Sequence, residues 1–244
     1  MRLPVWETLA CAVPTLVAHG TDAQRKEWLP GVVSGEVVLS PALREAGARP
    51  RAGRQPRTTY ADGAVSGRKI SVTHADTAAR LLVTARDGER SVVVLVDPAG
   101  PGVRLEESPS SSRLARHTVV LDGAPAELLE DGAAATLEAH ATAGLCLTAA
   151  GVLAGARDLT AGYVKDRRQF GRALAQFQAV AMQVADVYIA ARTTDLAADN
   201  AAWRVAAGLD AGDDLAVAAY WLCQEGPRTL RTCHHLHGGM GVDE

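Results

Sequence analysis

Between about residues 35 and 128 the hydrophobic pattern of this 244-residue chain has a period near two, whereas on both sides it has a period between three and four. "GEVVLS", "GRKISVTH", "ARLLVTAR", "RSVVVLVD", "GVRLEE" and "RHTVVLDG" are short β-branched runs separated by Gly, Asp and Pro, the pattern of strands joined by turns. Asp62-Gly63 and Asp87-Gly88 are tight-turn dipeptides. With no helical segment between the runs, a doubly wound parallel sheet is disfavoured, and an antiparallel β-barrel or sandwich is expected. "REAGARPRAGRQPR", residues 44–57, reads as an exposed loop. In "GRKISVTHAD", Lys69, Ser71 and Thr73 alternate with Ile70 and Val72, which reads as a strand with one solvated face.

The flanks are helical. In "TDAQRKEWLP" a Thr21–Gln24 capping box opens a helix that Pro30 is expected to end. From about residue 130, Leu145, Ala149, Val152, Ala156, Leu159 and Tyr163 paint one apolar stripe, and Phe177, Val180, Val184, Val187 and Ala191 a second. Leu215, Ala219 and Leu222 begin a third, which Pro227 is expected to kink or interrupt. The fold class is therefore α+β: a short helical lead-in, an antiparallel β-barrel or sandwich, then an antiparallel helical bundle. The domains are drawn at 1–34, 35–128 and 129–244, the last an incomplete bundle. Its faces are rich in Ala, Gly and Thr, which bury little area each, so a multimer is expected.

A formal net charge of −3 offers no basic field for nucleic acid. Cys11, Cys146, Cys223 and Cys233 lack disulfide or zinc spacing, no signal peptide is evident, and no run approaches the length of a membrane span. A cytoplasmic setting follows.

Two stretches invite a functional reading. "KDRRQFGRALAQFQ", residues 165–178, places Arg167, Arg168, Gln169 and Phe170 before Gly171. Forked guanidinium donors suit a phosphate or pyrophosphate, while arginines at a helix end also complement its macrodipole. "HHLHGGMGVDE", residues 234–244, has glycines that let a backbone approach a ligand or close a helix. Its three histidines are too closely spaced to share a helix face, and no metal is expected. No hydrolase, zincin or P-loop motif occurs, and no carboxylate pair stands out for acid–base work.

Taken together, these stretches resemble the FAD-dependent acyl-CoA dehydrogenases. "RRQFGRALAQFQAVAMQVADV" is similar to that family's R-x-x-F-G-x-x-L-x-x-x-Q loop and following helix, "HLHGGMGV" to its Q-x-x-G-G-x-G segment, and "GRKISVTHAD" to its G-x-K-x-W-I-T strand. "GTDAQRKEWLPGVVSGE" is similar to the lead-in to its middle barrel. The resemblance implies that Arg167, Gln169, Phe170, Leu174 and Phe177, with His235, Gly238 and Gly239, contact the adenosine diphosphate part of a neighbouring subunit's FAD. It implies Thr73 as a contact to this chain's own isoalloxazine.

Departures cluster on that flavin side. Ser71 stands at the family's Trp, and "LREAGARP" keeps Glu45 but has Arg44 and Arg49-Pro50 where the family has Thr and Gly-Ser. No catalytic base is identified: the sequence ends at Glu244 before the family's usual glutamate stretch, and Ala141 stands where some members place it, with Glu138 and His140 nearby. The expected role is a subunit of a heteromeric acyl-CoA dehydrogenase, resembling actinobacterial enzymes acting on steroid side-chain thioesters. Its partner would be a homologous subunit and its substrate an acyl-CoA. The alternative is a non-catalytic assembly subunit.

Overall fold

The computed structural model describes residues 3–47, 55–110 and 114–241, in two compact units, 1–141 and 142–244. Arg49-Pro50 lies outside the described residues.

Unit 1 begins with a π-helix, Val5–Ala12, followed by α1 (Val13–His19) and α2 (Asp22–Ser34). The capping box is present: the Thr21 side chain accepts from the Gln24 N–H, and Gln24 Oε1 accepts from the Thr21 N–H. Pro30 does not end α2. The helix passes it and stops one turn later, where Gly35 adopts φ 81° and its N–H caps the carbonyls of Gly31 and Val32. A left-handed glycine was the operative stop signal.

Seven strands follow: β1 (Leu39–Ala42), β2 (Thr59–Ala61), β3 (Ala64–Thr73), β4 (Arg80–Asp87), β5 (Arg90–Val96), β6 (Val103–Ser108) and β7 (Arg116–Leu128). Six match the β-branched runs; β2, only three residues long, had no run of its own. Pairing passes from β2 to β3, β7, β5, β4 and back to β2, so the sheet closes into a barrel, with β1 added to β4 and β6 to β7. Most pairs are antiparallel, but β1 and β2 both run parallel to β4. Asp62 (φ 50°) and Gly63 (φ 79°) form the two-residue β2–β3 turn, and Gly88 (φ 57°) opens the turn between β4 and β5. The unbroken apolar runs of these last two strands have a simple cause. Leu81, Val83, Val92, Val94 and Val96 fill the barrel core, whereas Leu82, Val93 and Leu95 pack with Cys11, Leu16, Trp28, Leu39, Leu129 and Leu137 in a second core. Both faces are covered, so alternation disappears.

The polar face expected for β3 is not solvated. Lys69 is fully buried, and its ammonium lies 2.7 Å from Glu45 Oε1 and 3.0 Å from Thr84 Oγ1. Glu45 also accepts from the N–H groups of Arg57 and Thr58 and from the Thr58 hydroxyl. The register against β7 slips between Lys69 and Val72, and Ser71 sits at φ 56°. This bulge puts Lys69 and Val72, three residues apart, both inside, which simple alternation forbids.

Unit 2 comprises the remainder of α3 (Ala133–Asp166), a two-stranded hairpin of β8 (Arg168–Gln169) and β9 (Arg172–Ala173), α4 (Gln178–Ala206) and α5 (Gly212–His237). α5 runs uninterrupted through Pro227. Cys146, Ala150, Ala198, Ala201 and Ala218 form its small core, with Leu215, Ala219 and Leu222 against it. Val187 and Ala191 are buried as expected. The α3 stripe is not: Leu145, Val152 and Leu159 are exposed, while Cys146, Ala150, Leu153 and Val164 face inward. α3 has two apolar stripes, and the smaller side chains take the inside because they let helices approach closely. One expectation is also overturned by α3, which among the described residues is one helix long and apolar enough to cross a membrane, by length and composition only.

Burial alone would push the Glu45 carboxyl up, but Lys69 and the Arg57 and Thr58 donors outweigh it and hold its pKa at about 2. A depressed carboxylate pKa stabilises the fold above the ordinary value and loses that contribution as pH falls through the folded one. Melting temperature should therefore decline steeply between pH 4.5 and pH 2 in the wild type, and Glu45→Gln should flatten that decline. Lys69→Met, which strands Glu45 without its charge partner, should cost about 3–5 kcal/mol in urea unfolding at pH 7.

Candidate functional site

The stretch that places Arg167, Arg168, Gln169 and Phe170 before Gly171 is a β-hairpin. Arg168 pairs with Ala173 and Gln169 with Arg172, leaving Phe170 and Gly171 as a two-residue turn with φ 51° and 80°. Positive φ at both central positions defines a turn that favours Asn-Gly. Glycine meets that demand at Gly171; Phe170 does not, and a non-glycine residue there costs about 1–2 kcal/mol. The phenyl ring gains little in return, being 91 % exposed, with an edge-on approach to Phe177 at 6.4 Å between centroids.

The base of the hairpin is firmly tied. The Arg167 N–H donates to the Tyr163 carbonyl at 2.9 Å, the Leu174 N–H to the Arg167 carbonyl at 2.8 Å, and the Ala173 N–H to Gln176 Oε1 at 3.2 Å. Arg172 lies 3.9 Å over the Phe177 ring, a cation–π contact that fixes the second strand against the root of α4. Arg167, Arg168 and Gln169 are exposed, Leu174 and Phe177 half-buried. Among the described residues neither Arg167 nor Arg168 is in an ion pair, although the chain has many surface pairs elsewhere.

The glycine segment comes to the same end of the unit. His237 stacks on Tyr163 with centroids 4.4 Å apart and approaches Thr160 Oγ1 at 3.3 Å, joining the last turn of α5 to the last turns of α3. Tyr163 is the residue whose carbonyl anchors Arg167, so the hairpin root and residues 235–239 are held together through one side chain. Gly238 ends α5 at φ 62°, its N–H capping the His235 carbonyl, and His235, Gly238 and Gly239 are exposed. Sequence reasoning missed Tyr163 and His237 as the link; the only signal was a half-buried aromatic near each helix end.

Thr73 lies in unit 1, in a different environment. Its hydroxyl donates to Glu7 Oε1 at 2.6 Å, and its carbonyl accepts from the Ser40 hydroxyl at 2.7 Å. Glu7 is buried, with His74 Nε2 at 4.0 Å. Ala141, at the position of a possible base, is buried and its carbonyl accepts from Trp6 Nε1. Desolvation raises the Glu138 pKa and lowers that of His140.

The two halves therefore answer differently to an FAD. The hairpin and glycine turn offer unpaired guanidinium groups, an exposed ring and bare backbone, which fit the diphosphate and adenine. The barrel donors do not fit an isoalloxazine: Ser71 offers no ring, and the Thr73 proton is already engaged.

Residues 132–244 match the model of the acyl-CoA dehydrogenase C-terminal domain. Acyl-CoA dehydrogenase FadE28 of Mycobacterium tuberculosis is 42% identical over 98% of this chain and 70% of its own length. FadE27 of the same organism is 30% identical over 99% of this chain and 67% of its own. Among solved structures, the Tcur3481–Tcur3483 steroid ACAD (G363A variant) superposes with a TM-score of 0.91 at 36% identity, covering 99% of this chain and 67% of that one. The ChsE4–ChsE5 complex from Mycobacterium tuberculosis gives 0.88 at 30%, covering 99% and 66%.

If Phe170 is held in its turn at a conformational cost, Phe170→Asn should leave the melting temperature of the isolated chain unchanged or raise it by a few degrees, despite loss of the ring. A drop of several degrees would mean that the ring stabilises the hairpin itself. The chain belongs to the acyl-CoA dehydrogenase family.

Proposed function

We propose that this chain is one subunit of a heteromeric acyl-CoA dehydrogenase and that its hairpin completes the FAD site of a homologous partner subunit. The observation that carries this reading is Phe170: an aromatic ring left 91 % exposed at a strained turn, between arginines without ion pairs. Strain at an exposed tip persists when the gain lies in a complex. Two of the similar structures are complexes of two differently named proteins, and one of these bears the word steroid in its title, which supports a steroid side-chain acyl-CoA as substrate class. The outward apolar residues of unit 2, among them Leu159, Met182, Ile189 and Trp203, supply surface for the partner. The match of residues 132–244 to the family's C-terminal domain supports α3 as a bundle helix rather than a membrane span, and free cysteines suit a cytoplasmic setting.

In this reading Arg167 and Gln169 bind the diphosphate, Phe170 covers the adenosine portion, and the backbone at His235, Gly238 and Gly239 closes over it; Leu174 and Phe177 support the hairpin from below. Bound FAD would supply the acceptor for the hydride leaving Cβ of the acyl thioester. In this reading the Cα proton goes to a carboxylate of the partner, Ala141 standing here where some family members carry the base. The double bond forms between Cα and Cβ as both hydrogens leave.

The test is flavin retention by the complex of this chain with its co-expressed partner. Half an FAD per chain is expected for the wild type, and Arg167→Ala should raise the dissociation constant by about tenfold or more, one lost charge-assisted bond to phosphate. Unchanged retention in Arg167→Ala would sink the assignment.

A further inference from the structure

We propose that Glu7 is a built-in occupant of the barrel-side flavin position, and that it, more than the missing tryptophan, keeps this chain from holding a flavin of its own. The inference rests on the family reading above and adds the residue responsible.

A threonine hydroxyl has one proton to give. In the structure Thr73 gives it to Glu7 Oε1 at 2.6 Å, a length typical of a strong bond to a charged acceptor. An isoalloxazine offers ring nitrogen and carbonyl acceptors along the edge that a threonine would meet, and these compete for the same proton at a disadvantage against a carboxylate. The Thr73 carbonyl is likewise taken, by Ser40. Thr73 is therefore satisfied at both ends without a ligand.

Charge acts in the same direction. Glu7 is buried between its helix and β3, and the one basic side chain near it is the His74 imidazole at 4.0 Å, with no closer basic group among the described residues. The Cys11 thiol, one turn along the same π-helix, is pushed up to about 12 by burial and by the Glu7 charge. A flavin that has accepted a hydride carries extra negative charge on its ring. A buried carboxylate beside it opposes that charge, so the surroundings of Thr73 are unsuited to the reduced cofactor as well as to the oxidised one.

The local backbone is shaped to keep the arrangement. Ser71 at φ 56° and His74 at φ 53° bracket Thr73, turning its side chain toward the helix, and the Thr8 hydroxyl donates to the Leu39 carbonyl at 2.9 Å while accepting from the Leu39 N–H, which ties the residue after Glu7 to β1. Glu7 is one of the buried residues of the π-helix at residues 5–12.

The experiment is titration of FAD into the full-length chain without its partner, read by flavin fluorescence quenching and by structure in the visible absorption band. The wild type is expected to leave FAD free. Glu7→Gln removes the charge and keeps the shape; Glu7→Ala removes both. Each should tighten FAD binding by about tenfold or more, and Thr73→Val added to either should abolish the gain. The same titration with Arg167→Ala separates two sources of help: a gain that survives is the barrel's own, a gain that is lost needs a second copy's hairpin, and both support Glu7 as the lock. If Glu7→Ala does not melt cooperatively, Glu7→Gln decides alone. FAD binding no tighter than wild type in a cooperatively melting Glu7→Gln overturns the proposal, and so does one FAD per chain in the wild type. Neither result bears on the Arg167→Ala outcome in the complex, so the two readings fail separately.

Discussion

The buried pair of Lys69 and Glu45 is what the barrel is built around. An ammonium with no solvent exposure is tolerable only when it is paired and hydrogen-bonded, and here the Glu45 carboxylate and the Thr84 hydroxyl serve it. Burial pulls the Lys69 pKa down, with the charges of Glu45 and Glu138 offsetting part of that pull. The pair does more than neutralise. Because Glu45 also gathers the N–H groups of Arg57 and Thr58, it closes the long loop after β1 and delivers the chain to β2, a three-residue strand with too little side-chain surface to find its place unaided. Such a pair is poor evidence of net stability against an apolar replacement. Its evident role is register: one charge can meet one partner, whereas valines can slide.

From that fixed register the rest of β3 follows. With Lys69 inward, Val72 could reach the core only through a bulge, and the bulge at Ser71 places Thr73 and His74 against the π-helix. The same chain of geometry thus connects a structural ion pair in the barrel to the carboxylate that occupies Thr73. A strand read as alternating would have put Lys69 and Thr73 on one solvated face together. The periodicity argument failed at that point because a bulge is not encoded in period; it is encoded in which polar residue has a buried partner, and Glu45 lies 24 residues away in sequence.

Elsewhere the sequence was legible where the signal was local. Six strands, the Thr21–Gln24 cap and the Asp62-Gly63 turn depend on residues within a few positions of each other, and each is present as read. What escaped was non-local or competitive. Pro30 was outbid by Gly35 as a stop signal, and in the α3 stripe chosen for its spacing Leu145, Val152 and Leu159 proved to face outward. Tyr163 and His237, 74 positions apart, carried no pattern that would pair them. For the site, the hairpin residues were recognisable as a group from the family resemblance, but their geometry was not: two adjacent positive-φ residues cannot be inferred from Phe-Gly, since phenylalanine is a poor choice for that turn.

That poor choice is what the proposed binding role would account for and a folding role would not. A hairpin selected only for stability would place asparagine at 170 and would not leave two arginines beside it without counter-charges. Around Thr73 the preference is reversed: its hydroxyl is taken by Glu7 and its carbonyl by Ser40, while Thr8 is tied to the Leu39 backbone. The hairpin holds its arginines and ring open to solvent, whereas Thr73 has its polar atoms engaged within the fold. A protein that bound and used its own flavin would need both ends of the cofactor site open. A subunit that serves a partner needs only the first, and it gains from closing the second, because an empty polar cleft in the barrel would either take up water or compete for the cofactor.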